Sequence, residues 1–217
     1  MSDTAKSDLV PLALWRAAIV LLAAVVLVGL SAAWLLSTRR AETGTDISPQ
    51  LFGGWTFGPG ASGQATGEGL TLSTTVADRA VYAVSQLVLG DFTYRVRAKQ
   101  LNGPDDAGYG LVVRHQGQDD FVAMFVGSDG YIAIGQMSSG AWHWRVPWQE
   151  WPHIKRGPAE NLLRAECRAD RCRFYVNDEF AFEVNAVPLQ GETGLAVWNP
   201  SNQAGVSAQF REWSGWK

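Results

Sequence analysis

Beyond residue 40 the chain has no helical periodicity of useful length. Its reactive residues are few: two cysteines, three histidines and three methionines among 217 residues. His115, His143 and His153 have no metal-ligand spacing, so no metal site is expected. Basic charge is scarce too. The first 40 residues hold four basic and two acidic side chains, which leaves 14 basic against 19 acidic in the remainder. A mildly acidic chain without a basic stripe excludes nucleic acid as a partner. No cysteine lies near the amino-terminal apolar run to accept a lipid.

What is present begins with that run. Ala17 to Leu36 are 20 consecutive uncharged residues of Ala, Val, Leu and Ile, with one Gly, one Ser and one Trp. At about 1.5 Å per helical residue they reach about 30 Å, the thickness of a bilayer's hydrocarbon core. Trp15 and Trp34 bracket the run and suit the two interfacial belts, while Arg16, Arg39 and Arg40 mark its ends. A cleaved signal peptide is the competing reading. Against it, the run is too long for an ordinary signal core and Leu35-Leu36 continue past the poor cleavage site Ser31-Ala32-Ala33. The expectation is a short tail (1–9), a transmembrane helix (10–36) and a polar linker (37–50). Gly29 and Ala33 form a small-xxx-small pair able to seat a neighbouring helix. Fourteen flexible linker residues span about 20 Å, which holds whatever follows close to the lipid bilayer.

From residue 51 to 217 the pattern has period two, broken by turns. Phe92, Tyr94, Val96 and Ala98 alternate with Thr93, Arg95, Arg97 and Lys99. Phe121 to Val126 is apolar on both faces, and Gly127-Ser128-Asp129-Gly130 turns it into Tyr131 to Met137. Further strands are expected at 141–146, 161–168, 171–176, 180–184, 194–198 and 206–213. The fold class is therefore all-β, a two-sheet antiparallel jelly-roll-like sandwich behind one transmembrane helix.

The hairpin around Ala169-Asp170 predicts its own register. A two-residue turn pairs Arg168 with Arg171, Cys167 with Cys172, Glu166 with Arg173 and Arg164 with Tyr175. An ion pair and a cation–π contact follow. The Cys pair takes the non-hydrogen-bonded position, where Cα atoms approach to about 4.5 Å, within disulfide range. Such a bond implies an oxidising compartment, hence a cell-membrane protein with its carboxy-terminal domain outside the cytoplasm. Two small core residues in a reducing cytosol are the alternative.

Several stretches resemble the concanavalin A-like lectin/glucanase superfamily. Tyr109-Gly110-Leu111-Val112-Val113-Arg114 and Asp120-Phe121 through Tyr131 are similar to that sandwich. Trp148 with Pro152, Ile154 and Gly157, then Asn161-Leu162-Leu163-Arg164, Phe174-Tyr175-Val176-Asn177 with Phe180, and Gly191 through Val197 are similar to its laminin-G-like and family-16-glycosidase-like members, the "domain of unknown function 1080" group. One departure is Asn177-Asp178, where the group commonly has Asn-Gly. The resemblance implies the fold more than any activity, since this sandwich carries lectins, hydrolases and adhesion modules.

Family-16 glucanases carry a Glu-x-Asp-x-(x)-Glu run on one strand, and none occurs here. Glu179 and Glu183 are the nearest approach, but four strand residues place them about 13 Å apart. Paired glycosidase carboxylates stand about 5–9.5 Å apart. No catalytic residue and no enzymatic activity are therefore expected. No cofactor is expected either; calcium is the one candidate, which the resemblance allows at the loops Pro104-Asp105-Asp106 and Ser128-Asp129-Gly130.

Ten tryptophans are many for this length, and Trp142-His143-Trp144-Arg145-Val146-Pro147-Trp148-Gln149-Glu150-Trp151 is the densest aromatic stretch. Trp142, His143, Trp144, Arg145 and Trp151 are its candidate contact residues, for a glycan or a protein partner. Trp148 reads as architectural. Two functions follow from different classes. The first is a non-catalytic, membrane-tethered interaction module docking on a membrane-protein partner; the alternative is a carbohydrate-binding or carbohydrate-processing cell-surface protein.

Overall fold

A computed structural model describes residues 44–51, 54–67, 69–118, 120–186, 188–201 and 205–217. The expected membrane helix at 10–36, with Gly29 and Ala33, lies outside these residues. Among the described residues no helix is long and apolar enough to cross a membrane.

Chain order within Gly44–Lys217 is a short helix and then strands alone. The helix is α1 (Ser48–Leu51), followed by β1 (Trp55–Phe57), β2 (Ser62–Thr66), β3 (Gly69–Thr74), β4 (Arg79–Leu89) and β5 (Phe92–Asn102). Next come β6 (Gly108–His115), β7 (Phe121–Gly127), β8 (Tyr131–Ser138), β9 (Ala141–Glu150) and β10 (Asn161–Arg168). The last are β11 (Arg171–Val176), β12 (Glu179–Asn185), β13 (Gly191–Asn199) and β14 (Val206–Trp216). They form two seven-stranded sheets. Sheet I runs β1-β4-β13-β6-β7-β8-β9 and sheet II runs β12-β11-β10-β5-β14-β3-β2. All pairings are antiparallel, so the expected sandwich is what the chain builds.

Period-two alternation explains the layers. Phe92, Tyr94, Val96 and Ala98 of β5 enter the core between the sheets, where they meet Leu111, Val122, Met124 and Leu195 from sheet I. Their neighbours Arg95, Arg97 and Lys99 keep partial contact with water. Ion pairs lace the outer face of sheet II. Arg171 and Arg173 share Glu183, while Arg97 and Arg211 share Glu160. The sandwich is already docked before residue 51. Thr45 and Lys217 exchange backbone hydrogen bonds of 2.8 and 3.1 Å, and Ile47 and Leu51 are buried.

The β10–β11 hairpin has the expected register from Arg168↔Arg171 through Arg164↔Tyr175. Cys167 and Cys172 are bonded across it, with Cα atoms 4.1 Å apart. The Arg164 guanidinium lies 3.8 Å from the Tyr175 ring centroid. The expected Glu166–Arg173 ion pair does not form. Arg173 faces Glu183 on β12 and donates to it at 2.6 Å. Glu166 is held instead by Arg164, two residues along its own strand, and by the Tyr175 hydroxyl at 3.1 Å.

Arg114 breaks the regularity of β6. Its φ is 58°, and β6 uses three steps from Val112 to His115 where β13 uses two from Gly194 to Glu192. The side chain is buried and donates to the carbonyls of Leu89, Gly90, Leu189 and Ala169. One guanidinium thereby ties three turns together, and it leaves His115 beyond it on the other side of sheet I.

Candidate functional site

The outer face of sheet I is unusual in being apolar as well. β7 sends Val122, Met124 and Val126 into the inter-sheet core, and Phe121, Ala123 and Phe125 outward. β4 adds Ala80, Tyr82 and Val84 to the outer side, and β13 adds Ala196 and Trp198. Trp142, Trp144 and Trp148 of the edge strand β9 pack over this surface and remain partly exposed.

Strand parity alone would put Val146 on the same side as these tryptophans, yet it packs on the inter-sheet core. The cause is a bulge. Ile134 pairs with Val146 and the next residue, Gly135, pairs with Trp144, so Arg145 is the extra residue. A second shift lies between Gln149 and Val146. These two irregularities turn Val146 alone toward the core and return Trp148 to the side of Trp142 and Trp144.

The rings form a contiguous shelf. Trp142 stacks on Trp198 at 5.7 Å with planes 25° apart, and Trp144 meets both edge-on at 5.3 and 5.2 Å. Trp148 lies 5.8 Å from Trp144 and 6.4 Å from Phe125. Phe121 extends the shelf from Trp142, at 6.0 Å, to Tyr82, at 5.1 Å. Glycine makes room beneath: a Cβ on Gly108 would come within 3.1 Å of Trp148, Phe125 and Trp198.

Of the sequence candidates, Trp142 and Trp144 come together on the shelf, and His143 and Arg145 are exposed on the same strand. Trp151 does not join them. It follows the end of β9 and packs at the inter-sheet core, 5.6 Å from Phe182 and 5.7 Å from His153. Trp148, expected to be architectural, is a shelf member. Sequence reasoning missed Trp198, Phe125, Tyr82 and Phe121. The signal for them was β7 itself: a strand apolar on both sides has two faces to cover.

A polar pair borders the shelf at its Tyr82 end. His115 is 6% exposed, its ring 4.7 Å from Tyr82 and 5.9 Å from Phe121. Its Nδ1 lies 2.9 Å from a Glu192 carboxylate oxygen, and its Nε2 is buried without a partner. Burial holds the imidazole's pKa below the ordinary value, and Glu192 opposes that shift. Next to Tyr82 and Phe121 a pocket of about 130 Å³ opens, lined also by Arg79, Gln118 and Met137.

Two other regions present acidic or open surface. At the loop rim expected for calcium, the Asp129 amide donates to the Asp105 carbonyl and the Asp129 carboxylate accepts from the Tyr131 amide. Burial, with the like charge of Asp106, raises the Asp129 pKa. Among the described residues no group of three or more acidic, His or Cys side chains could hold a metal. An open cleft of about 1090 Å³ lies along Trp55, Phe57 and Trp213, and its charged residues Arg211 and Glu212 are engaged by Glu160 and Arg97.

What the shelf can do follows from its surface. Indole faces offer flat, polarisable area that packs against the C–H face of a sugar ring, and the rim supplies hydrogen-bonding groups for hydroxyls.

The sandwich has the concanavalin A-like fold of known carbohydrate-active proteins. The carbohydrate-binding module CBM66 from Bacillus subtilis superimposes with a TM-score of 0.62 at 20% identity, covering 76% of this chain and 96% of that one. A Bacillus licheniformis β-glucanase gives 0.55 at 10% identity, with 81% and 99% covered. A prokaryotic β-1,3-1,4-glucanase (lichenase) from a mouse hindgut metagenome gives 0.55 at 11%, again with 81% and 99% covered. No protein-family model and no curated protein sequence matches the chain.

These likenesses correct the expectation of a domain without enzymatic activity. Glucanases have this same sandwich, so the fold is one that supports glycoside hydrolysis. Glu179 and Glu183 stand on β12 in sheet II, with Glu183 tied to Arg171 and Arg173. Glu192 is a carboxylate beside the shelf.

Proposed function

We propose that this chain is a glycan-recognition protein whose sugar-binding surface is the outer face of sheet I. The observation that carries this is the run of four indoles, Trp142, Trp144, Trp148 and Trp198, in mutual ring contact, three of them partly open to water. The solved proteins of this fold, a carbohydrate-binding module and glucan-cleaving enzymes, support the same reading. It displaces the docking module that a short tether suggested.

Residues 10–36 serve in this proposal as a membrane anchor that presents the sandwich outside the cytoplasm. The Cys167–Cys172 bond supports that placement, because such bonds persist in oxidising compartments. A neighbouring membrane protein seated at Gly29 and Ala33 remains part of the proposal. So does membership of the "domain of unknown function 1080" group.

The test is affinity electrophoresis of the full chain in mild detergent through gels containing soluble polysaccharides, β-1,3-1,4-glucan among them. At least one polysaccharide retards the protein, and Trp144→Ala weakens that retardation about tenfold, the loss of one stacking ring. The same mixtures are assayed for released reducing ends, which separates binding from cleavage. Indifference to every polysaccharide, or an unchanged Trp144→Ala variant, overturns the proposal.

A further inference from the structure

The arginines of this domain divide into two groups. Arg95, Arg97, Arg114, Arg156, Arg164, Arg168, Arg171, Arg173 and Arg211 each have a side-chain partner, whether carboxylate, carbonyl, hydroxyl or ring. Acidic side chains outnumber basic ones 19 to 14 after residue 40, so partners are plentiful. Among the described residues Arg79 and Arg145 alone lack one. Both border the aromatic shelf. Arg79 lines the 130 Å³ pocket beside Tyr82 and Phe121. Arg145 is the exposed extra residue of the β9 bulge, next to Trp144.

We infer that the shelf takes an acidic glycan, one whose sugar rings carry carboxylates, with Arg79 receiving a carboxylate in the pocket and Arg145 a second at the rim. The inference rests on the shelf being a glycan site and names the class of glycan. The chemistry of the pocket supports it. An aromatic wall from Tyr82 and Phe121, with Met137, suits a sugar's apolar face. Arg79 offers a planar fork that matches a carboxylate through two parallel hydrogen bonds, and the Gln118 amide can serve a neighbouring hydroxyl. The lining has a cation and, among the described residues, no carboxylate. An unpaired guanidinium needs no desolvation of an existing partner before it binds an anion. Net charge does the opposite work: an acidic domain repels polyanions, so retention by one reports local recognition.

The experiment compares polygalacturonate with its methyl ester, the same backbone with its charge removed, and with neutral β-1,3-1,4-glucan, using the full chain in detergent by affinity electrophoresis. The acid form retards the protein at least tenfold more strongly than the ester. Arg79→Gln/Arg145→Gln abolishes that preference, Arg79→Lys retains part of it, and added salt weakens it. Lys99→Gln/Lys217→Gln, which removes the same charge away from the shelf, leaves it intact. Equal retention by acid and ester overturns the inference, as does an equal loss in both double variants. If neutral glucan retards the protein and Trp144→Ala removes that effect while the acid form has no advantage, the acidic-glycan inference fails and the glycan surface stands. If no glycan of either kind retards the chain, both fail.

Discussion

Trp142 lies so close to Gly135 that a Cβ placed on the glycine would fall 1.9 Å from Cζ2 of the indole. The indole occupies the space a side chain at 135 would need, and that is what lets it stack on Trp198. Gly135→Ala must push the ring off the strand. Overpacking of this kind costs about 1–3 kcal/mol. We expect a lowered urea midpoint, a changed near-ultraviolet dichroism from the displaced indole, and glycan retardation reduced about as far as in Trp144→Ala. A variant with wild-type dichroism and retardation would show that the shelf does not depend on this contact.

Trp198 and Trp151 make a contrasting pair. Trp198 belongs to the shelf and Trp151 packs at the inter-sheet core. Trp151→Ala should destabilise the fold by about 2–4 kcal/mol and leave glycan affinity unchanged wherever the protein is still folded. Trp198→Ala should cost affinity as well as stability. Calorimetric titration alongside chemical denaturation distinguishes the two, and a loss of affinity in Trp151→Ala would return that residue to the site.

The Cys167–Cys172 bond closes a short loop, separation 5, inside a hairpin whose strands are already paired. Loop-closure entropy for so short a ring is about 2 kcal/mol. The Cys167→Ser/Cys172→Ser chain should fold with its stability lowered by about that amount, more if the buried hydroxyls go unpaired. Protein alkylated at the moment of cell lysis should contain no reactive thiol by mass spectrometry. Two alkylated cysteines in that sample would place the sandwich in a reducing compartment.

Acid should weaken the fold through His115. Its pKa in the folded chain is depressed below 6.5, burial being the main cause, so the unfolded chain takes up the proton first. The stabilising contribution is complete above pH 6.5, falls as pH drops below it, and levels once the folded imidazole is itself protonated. His115→Gln should remove this part of the acid slope in urea midpoints measured across that range. An unchanged slope would assign the acid sensitivity to other groups.

How much of this could be read from the chain varies with distance along it. The β10–β11 hairpin was legible residue by residue, because a two-residue turn and strict alternation determine each pair outward from Ala169-Asp170. The edge of sheet II was much less so, since β2 is Ser-Gly-Gln-Ala-Thr, exposed throughout and without alternation. Trp142 and Trp144 announced themselves by density. Trp198 reaches them from β13, and Glu192 reaches His115 across 77 positions, pairings that no local pattern encodes. Trp151 was misplaced for a related reason: periodicity cannot register where a strand ends and the chain turns back toward the interior.

The bulge at Arg145 acts as a phase shifter. In a strand whose side chains alternate, a single inserted or deleted position exchanges wet and dry sides for everything beyond it. Removing Arg145 itself would instead join Trp144 directly to Val146, and plain alternation would keep Val146 inward and the indole outward, opposite Gly135 as before. Because β9 has a neighbour on one side only, the remainder of the sheet would scarcely register the change. Trimming the bulge is therefore neutral for this surface, whereas a codon-length change between Trp142 and Trp144 would turn one of the two indoles inward.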